Sequence, residues 1–98
     1  MDDGSKVRLD RKRSSIEIIA DMLRLGEAHK TEIMYSVNMS YFQLQKYLSF
    51  MLDRGLVDKV RVGNPSVTYR VTEKGLGLLR QIDGILETLE FKESEDTD

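Results

Sequence analysis

The run Leu56-Val57-Asp58-Lys59-Val60-Arg61-Val62 alternates apolar and charged residues with a period of two. On either side of it, apolar residues recur every three or four positions instead. Successive side chains of a strand point to opposite faces, so the alternating run predicts a half-buried strand. Gly63-Asn64-Pro65-Ser66 is strong turn chemistry, and Val67-Thr68-Tyr69-Arg70-Val71 is a second strand. A β-hairpin over 57–71 is therefore expected, set among helices.

The helices are bounded by capping residues. Ser14 or Ser15 caps the first. With Ser14 as the cap, Glu17 takes the reciprocal capping-box position. Ile16, Ile19, Ala20, Leu23 and Met22 form its expected buried stripe, and Gly26 stops it. A short second helix is expected from Thr31 to Val37, with Ile33, Met34 and Val37 as its apolar side. Val37-Asn38-Met39-Ser40 reads as a tight turn. Ser40 then caps a third helix running to Arg54, with Leu44, Tyr47, Leu48, Met51 and Leu52 inward and Gly55 at its end. After the hairpin, Thr72 caps a last helix expected to run to Phe91. The parts are a basic arm over 1–13, a domain over 14–71, a helix over 72–91 and an acidic tail over 92–98.

Composition narrows the chemistry. The chain of 98 residues has no Cys, which excludes a disulfide framework, thiol catalysis and cysteine-ligated zinc. No apolar run approaches the roughly 18 residues needed to cross a bilayer, and the N-terminus lacks the apolar stretch of a signal peptide. A cytoplasmic protein with no membrane partner is expected. Net charge is −2, yet residues 1–70 balance at +3 and residues 71–98 at −5. Lys6, Arg8, Arg11, Lys12 and Arg13 crowd the N-terminal arm, and a basic arm suggests a polyanion partner. His29 is the single His, no carboxylate pair or Gly-rich loop specifies a site, and no metal-ligand cluster stands out. No enzyme, cofactor, metal or small-molecule substrate is expected.

Two short helices joined by a turn form a helix-turn-helix, and a hairpin directly after the second of them makes a winged helix. The expected class is α+β, mostly α: three helices, a hairpin wing and a long C-terminal dimerisation helix. Four segments, Lys30-Thr31-Glu32-Ile33-Met34-Tyr35, Leu44-Gln45-Lys46-Tyr47-Leu48, Arg54-Gly55-Leu56-Val57 and Tyr69-Arg70-Val71-Thr72-Glu73-Lys74-Gly75, carry a resemblance. Over about residues 14–90 the chain resembles the archaeal winged helix-turn-helix DNA-binding proteins. That resemblance implies double-stranded DNA as partner, a transcriptional regulator or a chromatin-type architectural protein associated with the nucleoid, and, as in some members, an antiparallel coiled-coil homodimer.

The wheel of the third helix suggests which residues meet DNA. With Leu44, Leu48 and Met51 inward, Phe42, Gln43, Lys46, Ser49 and Asp53 point away. Ser40, Tyr41, Phe42, Gln43 and Lys46 lie in or beside its N-terminal half, best placed to reach base edges. Gln reads adenine through two hydrogen bonds, Lys reaches guanine or a phosphate, and an aromatic ring touches a thymine methyl. Ser49 lies farther along the same face. Lys59, Arg61 and Arg70 alternate with Val60, Val62 and Val71, and the alternation puts Lys59 and Arg61 on one face, turned from the valines toward phosphates. Arg11, Lys12 and Arg13 extend the basic arm toward the backbone or a minor groove. Phe50 packs either on the last helix or on a partner subunit.

Leu79, Ile82, Leu86 and Leu89 recur at spacings of three and four, a coiled-coil seam that Leu78 and Ile85 widen. A single helix packed on its own domain has a similar stripe. A helix of about 18 residues is about 27 Å long, more than a small domain covers, which favours a homodimer. Gly77 and Gly84 are expected on its outer face. The rival reading is a winged-helix adaptor that binds protein and not DNA, in keeping with a sequence pI of 5.4.

Overall fold

A computed structural model describes residues 13–64 and 66–89. The elements run α1 (Ser15–Arg24), β1 (Glu27–Ala28), α2 (Lys30–Val37), α3 (Tyr41–Asp53), β2 (Val57–Arg61), β3 (Val67–Val71) and α4 (Glu73–Leu89). This is the expected winged helix, mostly helical, with one added strand. No described helix is long and apolar enough to cross a membrane.

Three of the four described helices begin where the sequence supplies a side-chain cap, at Ser14, Ser40 and Thr72. Ser14 Oγ accepts the Glu17 amide at 3.1 Å, while Glu17 Oε1 accepts the Ser14 amide at 3.0 Å. Thr72 Oγ1 accepts the Gly75 amide at 3.0 Å and donates to the Gly55 carbonyl at 2.7 Å, so one hydroxyl opens α4 and ties it to the end of α3. Gly26 and Gly55 carry φ of 79° and 72°, the left-handed conformation that ends α1 and α3 cheaply. Asn38, at φ 61°, does the same for α2 and shapes the turn of the helix-turn-helix. The last helix is expected to reach Phe91; it is described as far as Leu89, and positions 90 and 91 lie outside the described residues.

The sheet is antiparallel in the order β1-β3-β2. β1 has only two residues, too few for any period to announce it. It pairs Glu27 with Arg70 and Ala28 with Tyr69, and the Val71 amide donates to the Gly26 carbonyl at 2.7 Å. Ile33, Val37, Leu44, Leu48, Met51, Leu56, Val57 and Tyr69 meet in one core beneath the three short helices.

The first helix corrects one expectation. Ile18 is buried and Ile16 is 55% exposed, the reverse of the expected stripe. Ile18 and Met22 stack one turn apart and face the core with Ala20 and Leu23. Ile16 and Ile19 point instead toward α4, where they line a groove. A wheel drawn for α1 alone has no means of separating a face toward α2 and α3 from a face toward α4.

At Gly75 the last helix meets the sheet with no room for a side chain. An added Cβ would run into the Leu56 carbonyl oxygen and come within 2.7 Å of Val71 Cγ2. The same carbonyl accepts the Thr72 amide at 3.0 Å. The start of α4 is therefore seated against the junction of α3 and the wing.

Candidate nucleic-acid interface

The front of α3 is built by its cap. Ser40 Oγ accepts the Gln43 amide at 3.1 Å and Gln43 Oε1 accepts the Ser40 amide at 3.2 Å. Behind this first turn Leu44, Leu48 and Met51 are buried, so the helix is fixed by its back. Its front stays uncovered: Tyr41 is 59% and Phe42 77% exposed, and Gln43, Lys46 and Ser49 are exposed beside them. An aromatic ring left in water forgoes burial worth about 1.5–3 kcal/mol, so an exposed Phe42 needs a reason. Asp53 is exposed farther along, near the end of the helix.

The cap refines the part expected of Gln43. Its amide oxygen is engaged at Ser40, which leaves the NH2 end to bond outward. Reading adenine with both ends requires Gln43 to exchange its capping bond for a base.

One exposed ring of the helix-turn-helix was missed. Tyr35 of α2 is 76% exposed, off the Ile33–Val37 stripe, and its position opposite that stripe was the available signal. Lys30, at the start of α2, holds its Nζ 6.0 Å from the Tyr41 ring centroid, the outer reach of a cation–π contact. His29 closes the same corner. Its amide donates to Glu32 Oε1 at 2.9 Å, and its Nδ1 lies 3.0 Å from the Val67 carbonyl oxygen, tying α2 to the wing.

The wing departs from the expected alternation. Val57 pairs with Val71, Lys59 with Tyr69 and Arg61 with Val67, and directly opposed residues share a face. Lys59 and Arg61 do share one face, but it is the face of Val57, Tyr69 and Val71, which supplies the core. Val60 is half-buried and Val62 is 52% exposed. The reason is strand order. β3 lies between β1 and β2, so its Tyr69 is covered, while Lys59 opposite it and Arg61 opposite half-buried Val67 sit on an outer strand and stay exposed. Arg70 occupies the opposite face, in register with Glu27 on one neighbouring strand and Asp58 on the other. With a carboxylate on each side, it stands apart from Lys59 and Arg61. At the tip the Val62 and Gly63 amides donate to the Ser66 carbonyl at 3.1 and 3.3 Å; Pro65 lies outside the described residues.

Arg13 is not a free arm residue. Its guanidinium pairs with Asp21 Oδ2 at 2.7 Å and donates to the carbonyls of Val37 and Asn38. Arg11 and Lys12 lie outside the described residues.

The residues expected in a dimer seam divide. Ile82 is 6% exposed within a single chain, and Leu78 and Leu79 are half-buried against the core, because α1 packs along the first part of α4 and Arg24 reaches Asp83 at 2.7 Å. Ile82 is therefore already spent inside its own chain. Leu86 is half-buried, whereas Ile85 is 58% and Leu89 70% exposed. Ile85, Leu86 and Leu89 border the apolar groove between α1, α3 and α4, with Ile16 and Phe50 opposite. Phe50 thus faces the last helix across a groove, its ring 4.6 Å from the Arg54 guanidinium carbon. Gly77 and Gly84 line this groove too, and not the outer face.

Known proteins share this arrangement. A family model described as winged helix-turn-helix matches residues 12–90. The chain belongs to the winged helix-turn-helix family. An uncharacterised protein of Methanocaldococcus jannaschii is 30% identical over 84 residues, 83% of this chain and 81% of that one. The crystal structure of Sso10a-2, a DNA-binding protein from Sulfolobus solfataricus, superposes with a TM-score of 0.72 at 29% identity, covering 80% of this chain and 83% of its own. A mutant MarR from E. coli complexed with operator DNA superposes at 0.63 with 15% identity, over 82% of this chain and 59% of that one, a likeness of fold alone. The archaeal winged-helix resemblance read from the sequence holds, since the fold, the family and the archaeal relatives agree.

Proposed function

We propose that this protein binds double-stranded DNA as a homodimer, laying the N-terminal half of α3 in the major groove and the wing along the neighbouring backbone. The observation that carries the reading is the front of α3: Tyr41, Phe42, Gln43 and Lys46 stand exposed on a helix whose back is locked into the core. Gln43 and Lys46 supply hydrogen bonds to base edges, and Phe42 an apolar surface for thymine methyls. Lys59 and Arg61, exposed on the outer strand of the wing, meet phosphates and orient the domain without reading sequence. Arg11 and Lys12 add charge from the N-terminal side. The similarity to Sso10a-2, described as a DNA-binding protein, supports the same role.

The homodimer rests on the groove. Ile16, Phe50, Ile85 and Leu89 expose apolar surface along one side of the molecule, where burial yields about 25 cal/mol per Å². A second copy laying its α4 there buries both sets at once, in a self-complementary two-fold contact. Two recognition helices so joined call for a palindromic or pseudo-palindromic site. Pairing also presents two cationic faces to one duplex. Repeated along a genome, this binding makes the protein a transcriptional regulator or an architectural protein of the nucleoid.

Duplex binding measured against salt is the deciding experiment. The expected result is a linear fall of log affinity with log salt, with a slope of about 0.9 per phosphate neutralised. Absence of binding at low salt, or a flat response, rejects the proposal in favour of a protein-interaction adaptor.

A further inference from the structure

We propose that Arg13, Asp21, Arg24 and Asp83 form a charged strut that sets the pose of the recognition helix relative to α4, and that Arg13 is a positioning residue and not a phosphate ligand. The inference rests on α3 being the DNA-reading element.

The strut begins at the turn that aims α3. Helix α2 ends at Val37 with Asn38 in the left-handed conformation, and α2 has no basic residue in its last turn. The closing carbonyls of a helix carry partial negative charge and favour a cation. Arg13 provides one from outside the helix: one guanidinium nitrogen donates to the Val37 carbonyl and, at 3.4 Å, to the Asn38 carbonyl. The other terminal nitrogen donates to Asp21 Oδ2 at 2.7 Å. A planar fork suits this double task and a lysine does not, because the two acceptors lie in different directions.

From Asp21 the charges continue across α1. Arg24 Nε lies 3.9 Å from Asp21 Oδ1, and Arg24 Nη1 contacts both Asp83 oxygens at 2.7 and 3.0 Å. Alternating charges thus run from the α2–α3 turn, over α1, to the middle of α4. In a dimer joined through α4, the tilt of each recognition helix against α4 fixes the spacing of the two DNA contacts. A small change in that tilt misplaces both, which affects the preferred site far more than random DNA.

Asp21 and Asp83 make the test sharp because the two possible effects have opposite signs. Near a polyanion, deleting a carboxylate should raise affinity for every sequence. The strut predicts instead that Asp21→Ala lowers the ratio of affinity for a selected duplex over random duplex, by about two- to fivefold, the range of a partly exposed ion pair. Asp83→Ala should act in the same direction with a smaller effect. Arg13→Ala should lower the ratio and leave the salt slope unchanged.

A uniform gain in affinity for Asp21→Ala overturns the strut. So does a slope reduced by about 0.9 in Arg13→Ala with the ratio intact, the behaviour of a phosphate ligand. A second readout needs no DNA. The Met39 amide, bonded to the Met34 carbonyl at 3.0 Å in this turn, should exchange with solvent faster in free Arg13→Ala and Asp21→Ala protein. Unchanged exchange refutes the strut's hold on this turn. If the wild type binds no duplex, the proposed function fails, and this exchange measurement decides that hold by itself.

Discussion

Gly75→Ala should destabilise the protein, although helix propensity alone says the opposite. Gly75 lies in the first turn of α4, where alanine ordinarily gains about 1 kcal/mol over glycine. The new methyl, however, collides with the Leu56 carbonyl oxygen, and neither side yields easily. That oxygen accepts the Thr72 amide at 3.0 Å and, at 3.1 Å, shares the Thr72 hydroxyl proton with the nearer Gly55 carbonyl, while Val71 Cγ2 and Leu23 Cδ2 stand 2.7 and 3.1 Å from the added atom. Relief requires α4 to lift from the sheet. That move loosens one or two hydrogen bonds worth about 0.5–1.5 kcal/mol each and disturbs packing worth about 1–3 kcal/mol. Set against the propensity gain, the net loss is about 0.5–5 kcal/mol. For a domain of this size each kcal/mol lowers Tm by about 4–8 °C. Thermal melts at one fixed protein concentration measure it, with Gly77→Ala as control, since its added methyl meets nothing within 4 Å of its own chain. A Gly75→Ala protein melting at or above the wild-type temperature would refute the close-approach argument.

The other predictions concern the proposed interface. Lys46→Ala should weaken preferred sites most, whereas Arg61→Ala should weaken all sequences alike and flatten the salt slope by about 0.9; titrations on selected and random duplexes separate them. Gln43→Glu keeps a capping acceptor for Ser40 and removes the outward amide donor, so circular dichroism should be unchanged while discrimination at one base pair drops by about 1–3 kcal/mol. For Phe42→Ala, replacing thymine by uracil in the site should no longer cost affinity, as it does for the wild type. Ile85→Asp combined with Leu89→Asp should convert a dimer to monomer in sedimentation, because both side chains border the groove and neither is needed inside one chain.

Much of the fold was legible because its punctuation is chemical. Ser14, Ser40 and Thr72 start helices, Gly26 and Gly55 end them, and the change of period at Leu56 marks the wing. What escaped depends on geometry that no periodic pattern encodes. Strand β1 is two residues long and is held by pairing with a strand some forty residues later. Ile16 and Ile18 were exchanged because α1 has two apolar faces and a wheel recognises one. Arg13 sits in a basic run and looks like part of an arm; only the fold brings Asp21 and the Val37 carbonyl to it. The front of α3 was readable from spacing, and Tyr35 could have been read the same way, whereas the isolation of Arg70 between Glu27 and Asp58 required the neighbouring strands.

The two outer strands of the sheet bear on how copies of this chain meet. An open strand edge invites pairing with any extended segment, and natural sheets discourage it with brevity and charge. Here one edge is the two-residue β1, and the other, β2, carries Asp58, Lys59 and Arg61 within five residues. Neither offers a template for strand addition. Crowding of the protein along nucleic acid should then leave it able to come apart again, without passing into irreversible fibres.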